Sequence, residues 1–345
     1  MTRRRKIGLV ADRELLKHQI PGNIRESPKR LWPLYQRIDA PYFSPSVIRV
    51  PSREASEQEI TAVHSELYLS QLRQHAISTD PFSYDKDTYL MEDTLYVAAL
   101  AAGSCLALGD ALMRRDIDTG LALIRPPGHH AGSGGGGGFC VFNHAAILAR
   151  YLQREHHLER ILILDVDAHH GNGTQEIFWT DPGVLFVSIH EENLFPPKSG
   201  DAAEIGSAAG EGYTVNVPVK SGFGDLEYRY IVSTVIQDLI ARYAPQIALI
   251  SMGFDTHIDD PISNLALTTS WYRWFAATLG WYAHTENIAG PLYILEGGYL
   301  PSTLEQSVMS LFDGMVTTAA PGAVPFSPRA DFLLTNTVLP HLPDK

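Results

Sequence analysis

Cysteine is scarce: Cys105 and Cys140 are the only two among 345 residues, too few for a disulfide framework that a chain of this length does not need. A reducing, cytoplasmic setting is therefore expected. Positive charge is also short, with 27 Lys and Arg against 39 Asp and Glu and a net charge of −12 with histidine neutral. That balance opposes an electrostatic footprint for nucleic acid or for an anionic membrane, and favours a cationic ligand. Long apolar runs are missing as well. The uncharged apolar stretch 94–109 is 16 residues and contains Ser104 and two glycines, short of the roughly 20 needed to cross a bilayer, so it reads as a buried helix. The basic start Thr2-Arg3-Arg4-Arg5-Lys6 leads into an apolar stretch that Asp12 and Arg13 cut at once, so no export signal is read there. No fixed-period repeat, charged linker or composition break divides the chain. One domain over 1–345 is expected, with a proline-rich tail at 319–345 whose Phe332, Leu333 and Leu334 could strap onto the core.

What the chain does have is 45% hydrophobic residues against 19% charged, ample material for a large core. Short apolar runs rich in β-branched residues recur at 6–11, 120–124, 160–164, 184–189, 213–217, 246–251 and 291–295. Between most of them lie helix-length segments with apolar residues at three-to-four spacing, at 93–115, 143–155, 225–243, 268–285 and 302–316. The alternation predicts an α/β fold, a central and mostly parallel sheet with helices on both faces. The run Gly134-Gly135-Gly136-Gly137-Gly138 lacks the Gly-Lys-Ser/Thr ending of a phosphate loop and reads as a flexible turn.

In an open parallel sheet, ligands bind beyond the carboxyl ends of the strands, so the residues that follow each apolar run are the informative ones. Here they are Arg125-Pro-Pro-Gly-His129-His130, Asp165-Val-Asp167-Ala-His169-His170-Gly-Asn172, Gly253-Phe-Asp255 and Glu296-Gly-Gly-Tyr299. Four strand ends converge on one pocket. Alternate residues of extended chain point the same way, so Asp165, Asp167 and His169 share a face, and Asp167, His169 and Asp255 would complete the three-ligand set of a catalytic zinc that keeps a position for water. The plainer alternative is an Asp/His cluster that caps strand ends and helix starts. Pro126-Pro127-Gly128 is a rigid turn that would fix the direction of His129 and His130, and a neutral imidazole beside an activated water is a natural general base. Asp165 and Asn172 are candidates to set their tautomers. Tyr299, reached after two glycines, could donate its hydroxyl to a developing oxyanion; alternatively it is a turn tyrosine packing its ring.

The segments Arg125-Pro-Pro-Gly-His-His-Ala131, Gly138-Phe-Cys-Val-Phe-Asn143, Leu164-Asp-Val-Asp-Ala-His-His-Gly-Asn-Gly-Thr174, Gly253-Phe-Asp-Thr256 and Leu295-Glu-Gly-Gly-Tyr299 resemble, in order and spacing, the motif series of the histone deacetylase superfamily. Weaker matches at Arg25-Glu-Ser-Pro-Lys-Arg-Leu31 and at Val63-His-Ser65 with Tyr68 extend the likeness toward the amino terminus. The resemblance implies a single-domain arginase/deacetylase fold and one Zn2+ held by Asp167, His169 and Asp255. It implies His130 as general base and acid, His129 as its electrostatic companion oriented by Asp165, and Tyr299 as the group polarising the scissile carbonyl. Asn172 opposite His130 is similar to class II-like members. Phe139 would be one wall of the substrate tunnel, with Gly138 and Phe195 beside it and Asp87 as a rim acid. A structural K+ would map to Asp165, Asp167, His169, Ser188 and Ile189.

Within the superfamily, Asp260-Pro-Ile-Ser263 and Phe195-Pro-Pro-Lys-Ser-Gly200 resemble bacterial acetylpolyamine amidohydrolases, which points to a small acylated amine, or an acyl-lysine, as substrate. The segment 80–93 is shorter than their entrance loop, and His144 stands where a second asparagine is usual. Two rivals remain at this point. A binuclear manganese ureohydrolase would need bridging carboxylates, for which Asp259 and Asp260 are nearby in sequence. A catalytically silent acyl-binding module would be expected to lack a zinc ligand, a histidine or Tyr299, and none is missing. A homo-oligomer is compatible with all of these readings.

Overall fold

The computed structural model describes residues 5–22, 24–40, 46–76 and 82–342. The basic start at 2–4, positions 80 and 81, and Pro343 of the tail lie outside the described residues. In chain order the strands are β1 (Ile7–Val10), β2 (Val47–Arg49), β3 (Phe82–Ser83), β4 (Tyr89–Leu90), β5 (Thr119–Ala122), β6 (Ile161–Asp165), β7 (Val184–Glu191), β8 (Thr214–Val219), β9 (Ile247–Met252) and β10 (Ala289–Leu295). Eight of them form one sheet in the order β2-β1-β5-β10-β9-β6-β7-β8, parallel at every pairing. β3 and β4 form a separate antiparallel ribbon. All seven apolar runs are strands of this sheet, and the expected α/β architecture is the one that forms.

The reason lies in the side chains. Ile7, Leu9, Leu121, Leu162, Leu164, Tyr293 and Leu295 pack into one buried layer, whereas Val10, Ala122, Ile161, Ile163, Leu292 and Ile294 pack into the other. Alternate residues of each strand thus serve opposite faces, both apolar, as a parallel sheet covered on two sides requires. Each fully buried Leu or Ile stabilises by roughly 1.5–3 kcal/mol. Among the described residues one helix, Thr94–Met113, is long and apolar enough to span a bilayer. It packs against β1, β5 and β10 and the helix His144–His156, with Val97, Ala98, Ala101, Ala102, Cys105 and Leu106 buried.

Several details differ from the sequence reading, among them the β3–β4 ribbon, which was not expected. β2 was not among the expected strands; it is a three-residue edge strand with Ile48 37% exposed, too short to show a pattern. The expected helix 225–243 contains a wider turn at Val232–Ile236 between Asp225–Ile231 and Gln237–Tyr243. In the tail, Leu333 and Leu334 are buried in the core, but Phe332 points outward at 72% exposed, since adjacent helical positions cannot all face inward.

Candidate active site

β5, β10, β9 and β6 are consecutive in the sheet, so the segments that leave their carboxyl ends meet. The turn after β5 is held from several sides. Arg125, fully buried, donates to both carboxylate oxygens of Glu26 at 3.0 and 2.8 Å and to the carbonyls of Leu15 and His18. The Glu296 carboxylate accepts Gly128 N–H at 2.7 Å, His129 N–H at 3.2 Å and the Ser251 hydroxyl at 3.0 Å. His144 Nε2 donates to Pro126 O at 3.0 Å.

Fixed in this way, the rings of His129 and His130 sit 4.0 Å apart and take different partners. His129 Nδ1 lies 2.9 Å from Asp165 Oδ2. Burial by itself lowers the His129 pKa, but the Asp165, Asp167 and Glu296 carboxylates outweigh it and hold the ring well above the usual histidine value. His130 Nδ1 donates to Asn172 Oδ1 at 2.7 Å. Burial, reinforced by His129 and His169, pushes His130 well below its usual value. The pair therefore places a cationic imidazole beside a neutral one, whose Nε2 carries the lone pair.

Asp167, His169 and Asp255 converge, with ligand atoms all within 4.8 Å of one another. Both carboxylates are held by the backbone: Asp167 Oδ2 accepts Gly297 N–H at 2.8 Å, Asp167 Oδ1 accepts His169 N–H at 2.9 Å and Asp255 Oδ1 accepts Ala168 N–H at 3.0 Å. Asp167 Oδ1 and Asp255 Oδ2 turn toward His169 Nδ1, at 3.0 and 3.1 Å. Two carboxylates buried side by side without a cation are unfavourable; burial first, and then the Asp167 charge, raises Asp255 to about 7. Gly297 makes room for the pair, since a Cβ there would come within 2.7 Å of Asp167 Oδ2. Neither Asp259 nor Asp260 joins the cluster. Asp260 instead accepts Tyr299 N–H at 2.6 Å and Ile262 N–H at 3.2 Å. A further group, His129, Cys140 and Glu296, is also compact, but its Glu296 oxygens are already taken by Gly128, His129 and Ser251.

Tyr299 lies half-buried with the Arg30 guanidinium 4.5 Å over its ring. Burial outweighs Arg30 and raises the phenol well above its usual value, so it is a proton donor at neutral pH. Arg30 also grips the chain leading to Tyr299, donating to Gly298 O at 2.7 Å and Glu296 O at 2.6 Å. Phe139 stands 5.6 Å from Tyr299, and Phe195, 42% exposed, meets His130 edge-on at 5.0 Å. Gly138 lies against His130 and Phe195, where a Cβ would come within 2.8 Å of both rings. Asp87 is half-buried on the β3–β4 turn with Lys86 3.9 Å away. Ser188 pairs with Asp165 in the β6–β7 register, followed by Ile189; the Ser188 hydroxyl bonds His190 Nδ1 at 2.9 Å.

Several residues acquire a place in the site that the sequence reading did not assign. Glu26, Arg30 and Arg125 form a buried charge network behind Tyr299, Asp260 holds Tyr299, and Glu296 ties the histidine turn to β10. Glu296 was visible as a charged residue directly after an apolar run. The glycine run is not a free turn: Gly132 N–H bonds Gly135 O, Gly137 pairs with Cys140 in both directions, and His64 Nδ1 holds Gly132 O at 2.8 Å. Of these partners His64 lies far off in the chain, which is why the glycines alone read as flexible.

Comparison with known proteins shows a match of residues 24–315 to the histone deacetylase domain. A probable deacetylase of Archaeoglobus fulgidus is 37% identical over 294 residues, 85% of this chain and 81% of that protein. The polyamine deacetylase HDAC10 of Danio rerio is 33% identical over 333 residues, 91% of this chain and 48% of that protein. Among solved structures, the HDA15 HD domain matches with a TM-score of 0.89 at 31% sequence identity, covering 97% of this chain and 95% of that one. The chain thus spans most of the archaeal protein and about half of the zebrafish one.

Proposed function

Because the chain belongs to the histone deacetylase family, we propose that it is a zinc-dependent amidohydrolase that removes an acetyl or other short acyl group from a small acylated amine, such as an acetylpolyamine, or from acyl-lysine. The observation that carries this reading is the convergence of Asp167 Oδ1, Asp255 Oδ2 and His169 Nδ1 beside a neutral histidine and a protonated tyrosine. Two carboxylates and an imidazole suit zinc, and these three residues would hold one ion per chain. When bound, zinc supplies Lewis acidity toward the carbonyl and makes a water acidic near neutral pH.

The chain's own residues then divide the work. His130 Nε2 accepts the proton of the attacking water, because its Nδ1–H is committed to Asn172. The Tyr299 hydroxyl donates to the carbonyl oxygen as negative charge develops there. His129, oriented by Asp165, offsets that charge from the opposite ring. As the C–N bond breaks, His130 returns the proton to the departing amine, and the products leave as carboxylate and ammonium, which between them carry both protons of the water. A potassium ion at the Asp165, Asp167, His169, Ser188 and Ile189 positions belongs to the same proposal, as support for the strand ends beneath the cluster.

The preference for a small amine draws support from the net charge of −12, which favours cations, and from the polyamine deacetylase named among the relatives. Charge is screened beyond about 8 Å at physiological ionic strength, so it steers encounter, and the shape of the slot must set selectivity. The test is kcat/KM for N-acetylputrescine and N-acetylspermidine beside an acetyl-lysine peptide, with equal or higher values expected for the small amines. A peptide preference above about 100-fold, roughly 2.7 kcal/mol of transition-state discrimination, would refute the small-amine substrate and leave the amidohydrolase standing.

A further inference from the structure

The turn between β3 and β4 grips Gly138 and Phe139 beside the reacting groups. Asp85 Oδ1 accepts the N–H groups of Asp87 and Thr88 at 2.8 and 2.6 Å, which folds the turn onto itself, while Asp85 Oδ2 accepts Gly138 N–H at 2.8 Å. One position on, the Thr88 hydroxyl oxygen, 1% exposed, accepts Phe139 N–H at 2.8 Å. Both wall residues have left-handed backbone, with φ 53° at Gly138 and 71° at Phe139. Glycine adopts this freely, but phenylalanine keeps it only where its surroundings impose it. Burial would raise the Asp85 carboxyl; hydrogen bonds from Gly138, Asp87 and Thr88 outweigh it and hold the group below the usual carboxylate range, so these are charge-assisted bonds.

The grip reaches the reacting groups directly. Phe139 flanks Tyr299, and a Cβ on Gly138 would come within 2.8 Å of Phe195, which itself abuts His130. A wall released from the turn could retreat and widen the passage. The next step rests on the amidohydrolase reading above, in which the acyl group goes to the buried Asp/His cluster and the carbon chain of the amine lies in the slot. We propose that Asp85 and Thr88 are positioning residues whose hold on Gly138 and Phe139 restricts the enzyme to unbranched amine chains.

Thr88→Val keeps the size and branching of the side chain but removes the acceptor for Phe139 N–H. Asp85→Asn keeps the shape but leaves one acceptor oxygen for three N–H groups. The measurement is kcat/KM for N-acetylputrescine and for its analogue methylated on the second carbon from the acetylated nitrogen. The branched-to-unbranched ratio should rise about 10-fold in either variant, the low end of what one carbon is worth in a shaped pocket, and Thr88→Ser should restore the wild-type ratio. A ratio unchanged in both variants overturns the proposal, including the case in which activity falls equally on both substrates. Wild-type protein inert toward both acetamides would refute the small-amine substrate, and inertness toward an acetyl-lysine peptide as well would refute the amidohydrolase reading. The grip itself would then be decided by amide hydrogen exchange at Gly138 and Phe139: about 10-fold faster exchange in the variants upholds it, and equal rates overturn it.

Discussion

Replacing Tyr299 by phenylalanine removes one oxygen and leaves everything that holds the ring. Arg30 stacks 4.5 Å over the ring centroid, Phe139 lies 5.6 Å away, and Asp260 binds the backbone N–H at 2.6 Å; none of these contacts uses the hydroxyl. The Asp167, His169 and Asp255 cluster is likewise untouched, since its backbone donors are Gly297, Ala168 and His169 and not Tyr299. What is lost is one donor to the oxyanion, for which kcat should fall about 10²–10³-fold, or about 2.7–4 kcal/mol. Steady-state kinetics on N-acetylputrescine should show this loss in kcat with little change in KM, because the bond strengthens only as charge develops. Zinc content and melting temperature should match wild type. A variant that keeps its zinc and its kcat would refute the role assigned to the phenol, and a variant that loses zinc would show that Tyr299 supports the metal cluster.

Two further outcomes follow from the buried charges. Glu26, held between Arg125 and Arg30, stays ionised although burial alone would raise it, with its pKa lowered from 4.5 to about 2. A depressed carboxylate adds stability that is complete above the unfolded value and is lost as pH falls from about 4.5 toward 2, here about 3 kcal/mol; urea unfolding across that range should show this steep loss in wild type and a shallower one in Glu26→Gln, and parallel curves would refute it. Asp255→Ala should leave the sheet intact by circular dichroism but lower bound zinc to well below one per chain, since two ligands rarely retain zinc; full zinc occupancy in that variant would exclude Asp255 as a ligand.

The sheet was legible because every parallel strand but the edge strand β2 buries most of both faces and so appears as an apolar run, as at 161–164 and 247–250. The meeting of His129, Asp167, Asp255 and Tyr299 followed from the same logic, as residues at the carboxyl ends of neighbouring strands. The second layer was not legible. Glu26, Arg30 and Arg125 are charged side chains that sequence places at a surface, and only their mutual neutralisation allows their burial. The Asp85 and Thr88 bonds to Gly138 and Phe139 join segments about fifty positions apart, and no local pattern announces a turn that holds a distant glycine. β2 and Phe332 escaped for a humbler reason, since three edge residues and one helical phenylalanine carry no periodicity of their own.

The proposed function stands or falls on one zinc at Asp167, His169 and Asp255. Its most direct test is to strip the protein with chelator, add zinc back in substoichiometric steps, and measure acetate released from N-acetylputrescine at each step. No acetate is expected without metal, and with metal a linear rise that stops at one zinc per chain. Acetate release by the stripped protein, or a rise that continues to two ions per chain, would contradict it.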